Sequence, residues 1–121
     1  MEMPGSAAAS TLSIDVDVTG GAVVMHPRGE IDVVTAPEFQ EAVERTAAQH
    51  PDVALIVDLS KVAFLASAGL AVLVRCSDDL ADQRRFIVVA HGPTTLRPLE
   101  LTGLTETLEV HSSVEAALAT V

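Results

Sequence analysis

Asp58-Leu59-Ser60-Lys61-Val62-Ala63-Phe64-Leu65-Ala66-Ser67-Ala68-Gly69-Leu70-Ala71-Val72-Leu73-Val74-Arg75 is the stretch whose reading decides the fold. The run from Val53 to Leu59 that leads into it is mostly apolar on both alternating faces, as a central strand with helices packed above and below requires. From Ser67 onward the apolar residues switch to spacings of three and four. Leu70, Leu73, Val74, Ser77, Leu80 and Ala81 form the expected inward stripe of a helix, with Arg75, Asp78, Asp79 and Asp82 outward and Arg84 and Arg85 closing it. A short connection joins the two and ends in Ser67-Ala68-Gly69. Ser67 therefore stands at the expected helix N-cap, where a serine hydroxyl accepts a bond from a free backbone N–H and contributes about 1 kcal/mol.

Working outward, Leu12, Ile14, Val16 and Val18 alternate with Ser13, Asp15 and Asp17, the period of a half-buried strand. Gly20-Gly21 reads as a turn and Ala22 to about Pro27 as a second, antiparallel strand. Thr35 with Glu38 predicts a capping box, Pro37 fits the first turn, and Phe39, Ala42, Val43, Thr46 and His50 share one helical face up to Pro51. Phe86 to Ala90 reads as another buried strand, Thr94 to Leu101 as a short helix capped by Gly103, and Thr107 to Val110 as a last strand. Ser112 with Glu115 predicts the cap of a terminal helix. Strands and helices thus alternate after the hairpin, which implies an α/β domain with right-handed crossovers. The expected architecture is a single domain over residues 11–121, with a mixed sheet of about five strands, mostly parallel after the N-terminal hairpin, flanked by about four helices. Residues 1–10 read as a flexible lead-in.

At 121 residues the chain is long enough to bury a core without disulfides or metal. Its net charge of −10, and aromatic content limited to three Phe, argue against nucleic acid and anionic membrane surfaces, which reward Lys/Arg clusters and stacking rings. No apolar run approaches the roughly 18 residues of a membrane span, and Met1 to Ala9 lacks the basic and apolar regions of a secretory signal. With one cysteine, Cys76, no internal disulfide is available, which is compatible with a cytoplasmic protein. The four histidines show no ligand spacing, so neither metal nor cofactor is expected.

Gly29-Glu30-Ile31-Asp32, Val57-Asp58-Leu59-Ser60-x-Val62-x-Phe64-Leu65 and Ser67-Ala68-Gly69-Leu70 together resemble the STAS domain of the anti-sigma factor antagonist type, over essentially Leu12 to Leu118. The resemblance implies a small mixed sheet flanked by helices. It also implies binding to an anti-sigma factor that is a serine kinase, release of the sigma factor, and loss of binding when a serine at the helix start is phosphorylated, a state that a phosphatase would reverse. By motif that serine is Ser67. The family commonly shows Asp-Ser-Ser-Gly or Asp-Ser-Thr-Gly here, whereas this chain has Ala66-Ser67-Ala68-Gly69, keeping the acceptor hydroxyl without the preceding acid or the following hydroxyl.

On the helical wheel, Ala68 and Val72 project away from the inward stripe, near Arg75 and Asp79. Glu30, Asp32, Ser67, Ala68, Val72 and Arg75 are accordingly the expected partner surface. Gly69 is expected to let helix and sheet approach closely, Asp58 to cap a turn, Cys76 to act as a buried small hydrophobe, and His91 either to reach the Ser67 end or to remain on the surface. A monomer or weak dimer is expected. Two other readings stay open: a STAS module that binds a signalling partner, small ligand or nucleotide without phosphorylation, and a serine hydrolase, since a serine between strand and helix is similar to a nucleophile elbow. The elbow wants glycine two residues before the serine, where this chain has Leu65.

Overall fold

The computed structural model describes residues 11–121; the lead-in expected at residues 1–10 lies outside them. Strand β1 (Leu12–Thr19) turns at Gly20-Gly21 into β2 (Ala22–Ile31), followed by α1 (Ala36–Gln49), β3 (Ala54–Asp58), β4 (Lys61–Leu65) and α2 (Ser67–Leu80). The chain ends with β5 (Phe86–Val89), α3 (Leu96–Leu101), a 3-10 turn (Leu104–Glu106), β6 (Glu109–His111) and α4 (Val114–Leu118). The sheet runs β1-β2-β3-β5-β6, with β4 also paired to β2; β1 and β2 are antiparallel and every other pairing is parallel. The mixed α/β sheet anticipated from the sequence is therefore present, with six strands where about five were expected.

The added strand is the stretch read as a connection. Ten-residue β2 is paired in series along one edge, by β3 from Ala22 to Met25 and by β4 from Arg28 to Ile31. Between them the Asp58 carboxylate accepts the Ser60 N–H at 3.0 Å, and Val62 N–H donates to Leu59 carbonyl at 3.0 Å, so the chain bends at Leu59-Ser60 and resumes alongside the same neighbour. Asp58 thus caps a turn, as expected. Its second oxygen also lies 2.9 Å from Nδ1 of His26, whose Nε2 lies 3.1 Å from Asp17, a polar strap across β1, β2 and β3.

The two faces of the sheet explain the unbroken apolar runs of the central strands. Val23, Met25, Leu55, Val57 and Val88 belong to the main core with Phe39 and Val43 of α1 and Val72, Leu73 and Cys76 of α2, while Ala22, Val24, Ala54, Ile56, Ile87 and Val89 meet Ala117 of α4 on the other side. A strand buried on both faces has no polar side to show. On edge strand β1, Leu12 is buried, but Val16 and Val18 are exposed, so its alternation marks the strand without marking burial along its whole length.

Three capping details differ from expectation. The Thr35 hydroxyl makes no bond to the α1 amides because it accepts the Asp32 N–H at 2.9 Å and donates to the Glu30 carbonyl at 2.8 Å. Ser113, not Ser112, caps α4, accepting the Ala116 N–H at 3.0 Å. Helix α3 starts at Leu96 rather than Thr94, and Gly103 follows it in the left-handed conformation, as its role as a stop requires.

The start of α2 is seated against the end of the sheet through Gly69. A Cβ there would lie 2.6 Å from Cγ2 of Ile31 and 2.8 Å from Cδ1 of Leu65, inside the contact distance of carbon atoms. Ile31 is fully buried and its branched Cγ2 has little freedom to yield. The substitution Gly69→Ala is therefore expected to destabilise the domain by about 1–3 kcal/mol, as overpacking does, measured as a lowered denaturant midpoint at unchanged m-value.

Candidate functional site

The chain leaves β4 at Leu65, and the Ala66 N–H donates to the Ile31 carbonyl at 2.9 Å, bringing the end of β2 and the beginning of α2 side by side. This places Ala66 at the N-cap, with extended φ and ψ, and makes Ser67 the first helical residue. The expected N-cap role of Ser67 is thus overturned: the bridge to Ile31 fixes Ala66 in the capping position one residue earlier. Ser67 is exposed, and its hydroxyl has no hydrogen-bond partner among the described residues. The first intrahelical bonds are those of Gly69 and Leu70 N–H to the Ala66 carbonyl, so the amides of Ser67 and Ala68 open the helix at the positive end of its dipole.

Val72 is corrected as well. It is 1% exposed and packs into the main core, so it is no part of a surface. Because Gly69 must face Ile31 and Leu65, the helix is phased so that Gly69, Val72, Leu73 and Cys76, at spacings of three, four and seven, point inward together with Leu70. Val74 and Ser77 are half-buried and Ala81 is exposed, so the stripe drawn through them lies partly off the core. Outward, Ser67, Ala71 and Arg75 follow one another at intervals of four, and Ala68 is half-buried against the core edge. The Arg75 guanidinium donates to Gln40 Oε1 at 2.8 and 3.2 Å, tying α2 to α1.

The loop between β2 and α1 is built by a reciprocal exchange between Asp32 and Thr35. Asp32 Oδ1 accepts the N–H groups of Val34 and Thr35, each at 3.0 Å, while the Thr35 hydroxyl accepts the Asp32 N–H and the Ala36 N–H donates to the Asp32 carbonyl at 2.8 Å. The backbone N–H of Thr35 above all holds the Asp32 carboxyl below its ordinary value of 3.8. Asp32 is therefore committed to shaping its own loop. What the loop presents is Val33 and Val34, exposed by 76% and 80%. On the neighbouring strand Phe64, 53% exposed, stands opposite the exposed Glu30 in the β2–β4 register.

These three apolar residues were missed by sequence reasoning. Val33 and Val34 are adjacent apolar residues between Asp32 and Thr35, outside the period of any element, which is the signal that would have found them. Phe64 was hidden by the reading of its strand as a connection, and the irregularity between Gly29 and Glu30 shifts its register. Gly29 is required there, with φ of 109° and a virtual Cβ 1.9 Å from the Thr11 carbonyl oxygen.

Two further candidates are His91 and Cys76. His91 is exposed, and its backbone bonds are to the Thr95 hydroxyl four residues on. Cys76 is buried, its thiol pushed up to about 11 mainly by desolvation, as befits a core side chain. No group of three or more His, Cys, Asp or Glu able to hold a metal occurs among the described residues, and none of their helices is long and apolar enough to cross a membrane.

The Asp32 lock has a pH signature. A carboxylate whose folded value is lowered contributes order above its unfolded value and loses that contribution as pH falls through the folded one. Acidification below about 3.8 is therefore expected to raise amide exchange at Val34 and Thr35 before the core opens, and Asp32→Asn to abolish that step; hydrogen exchange followed by NMR measures it.

Comparison with known proteins agrees with this architecture. The family model for the STAS domain matches residues 13–117. The anti-sigma-F factor antagonist RsfB of Mycobacterium tuberculosis is 38% identical over 111 residues, covering 92% of this chain and 90% of that protein. An anti-sigma-B factor antagonist of Listeria monocytogenes is 32% identical over 83 residues, covering 68% and 72%. The crystal structure of an anti-sigma factor antagonist from Mycobacterium paratuberculosis superimposes with a TM-score of 0.85 at 40% identity, covering 91% and 93% of the two chains. With a family model matched over residues 13–117 and relatives that span nearly its whole length, this chain belongs to the STAS domain family.

Proposed function

We propose that this protein is an anti-sigma factor antagonist: in the cytoplasm it binds an anti-sigma factor that is also a serine kinase, frees the sigma factor, and is switched off when that kinase phosphorylates Ser67. The names of its relatives support the partner class. The observation that carries the switch is the exposed Ser67 hydroxyl on the first residue of α2, with no bond to any described residue. It is open to a kinase, and its modification removes no bond that holds the domain together.

The chemistry is a transfer of the γ-phosphoryl group of ATP to Ser67 Oγ: the Oγ–P bond forms as the bond from the γ-phosphorus to the β–γ bridging oxygen breaks, ADP leaves, and the hydroxyl proton goes to a base of the kinase. The phosphate adds a charge of about −1.5 to −2 beside the opening amides of α2, which the domain tolerates. A partner seated on the same end must desolvate or repel that charge. A penalty of about 3 kcal/mol weakens binding more than a hundredfold. Glu30, Ala68 and Arg75 flank Ser67 in the proposed contact, Val72 is removed from it, and a phosphatase restores the binding form. The protein works as a regulator rather than an enzyme and uses no cofactor.

A second reading, binding without phosphorylation, is favoured by Ala66 and Ala68, which replace the acid and the second hydroxyl of the family pattern. Three proteins separate the two. Wild type and Ser67→Ala are expected to bind an anti-sigma factor of the same cell alike, and Ser67→Glu at least tenfold more weakly. ATP and the kinase should add one phosphate to wild type and none to Ser67→Ala by mass spectrometry. Equal binding by all three, with no phosphate taken up, would sink the switch and leave the second reading.

A further inference from the structure

We propose that Val33 and Val34 form the apolar anchor of this docking end, a rigid two-residue finger that enters a hydrophobic socket on the anti-sigma factor, rimmed by lysine or arginine. The inference rests on the reading of the chain as an anti-sigma factor antagonist and states what that partner must present.

Two adjacent β-branched side chains exposed by 76% and 80% are unfavourable in water unless a partner covers them. They are not on a floppy segment. Val34 is held through its own N–H, Val33 is bracketed by three bonds between Asp32 and Thr35, and the Thr35 hydroxyl anchors the loop to the Glu30 carbonyl. Because the loop is already ordered and valine has one side-chain torsion, docking freezes little that was free, and the apolar area removed from water goes into affinity.

Position identifies the occupant. Loop and Ser67 belong to one surface, since the Ala66 N–H to Ile31 carbonyl bond joins the strand that ends in the loop to the cap of the helix that Ser67 begins. A partner that reads Ser67 therefore meets this finger. The acids nearest the finger in sequence are Glu30 and Asp32, in a chain of net charge −10, so the complementary socket carries a basic rim. Phe64 extends the apolar part on the β4 side, opposite Glu30. Apolar anchors surrounded by polar residues that exclude water are the arrangement in which a few side chains dominate binding. The labour is divided: the valines supply affinity, and Ser67 makes that affinity conditional.

The full chain carrying Val33→Ser and Val34→Ser, compared with wild type and with Val33→Ile, is to be titrated against each purified anti-sigma factor of its own cell. Removing two buried valines is expected to weaken binding roughly a hundredfold at an unchanged thermal midpoint. Val33→Ile should bind within a few-fold of wild type, and the kinase should show a raised KM for Ser67 with kcat retained. If wild type binds no anti-sigma factor, the functional reading fails and this inference with it. If wild type binds and the double variant binds as tightly, this inference alone is overturned. Two other occupants would equally overturn it: a second copy, seen as a wild-type dimer that the double variant dissociates, and the chain's own residues 1–10, seen as a stability loss that vanishes when those residues are removed.

Discussion

The close contact of Gly69 with Ile31 and Leu65 is the constraint on which the functional end of this domain depends. It sets how near α2 approaches the sheet, and it sets the rotation of the helix about its own axis, because whatever side bears the glycine must face the strand ends. Once that phase is fixed, Val72, Leu73 and Cys76 turn into the core and Ser67, Ala71 and Arg75 turn out. The absence of a single methyl group thus decides which residues of the helix reach the surface. Ser67 is exposed for a related reason: Ala66, drawn to Ile31 by its N–H, takes the capping position and leaves the hydroxyl without a structural task.

Much of the fold was legible because burial imposes periods on sequence. The hairpin, the two-sided strands β3 and β5, and the inward face of α1 from Phe39 to Thr46 follow from alternation and helical spacing, whereas His50, expected on that face, lies just past the helix as its C-cap. What escaped was decided by contacts distant in sequence. Strand β4 looks like a connection because two of its five residues, Val62 and Leu65, are buried and three are exposed; its status comes from pairing with Arg28 to Ile31. The Thr35 box failed because a nearer donor and acceptor, Asp32 N–H and Glu30 carbonyl, claim the hydroxyl. In α2, both candidate stripes contain Leu70 and Leu73, and apolar counting alone cannot choose between Val74 and Val72. Gly69 could have chosen, since positions three, four and seven beyond it are Val72, Leu73 and Cys76.

At the candidate site, the structure shows side chains with work that residue type alone did not reveal. Asp32 is there, yet its carboxylate is spent on two backbone amides of its own loop, and Arg75 is there, yet it is joined to Gln40. The apolar residues that face outward carry no chemical signature in the sequence; they become visible only once the loop around Asp32 and the register of β4 are known.

The series pairing of β3 and β4 along β2 divides the sheet into two zones. Beside β3 the strands are closed on both faces by apolar layers, so nearly every substitution there disturbs packing. Beyond Gly29 the sheet carries Glu30, Phe64 and the Val33-Val34 loop, whose outward side chains pack against little of their own chain. Variation is therefore cheap at the exposed end and dear where the fold is held. If the docking surface proposed above is the one used, duplicated copies of such a domain within one cell can drift apart at positions 30, 33, 34 and 64, each acquiring its own cognate, while inheriting an unaltered scaffold. On that proposal, signal insulation between parallel regulatory circuits becomes a property of sheet topology.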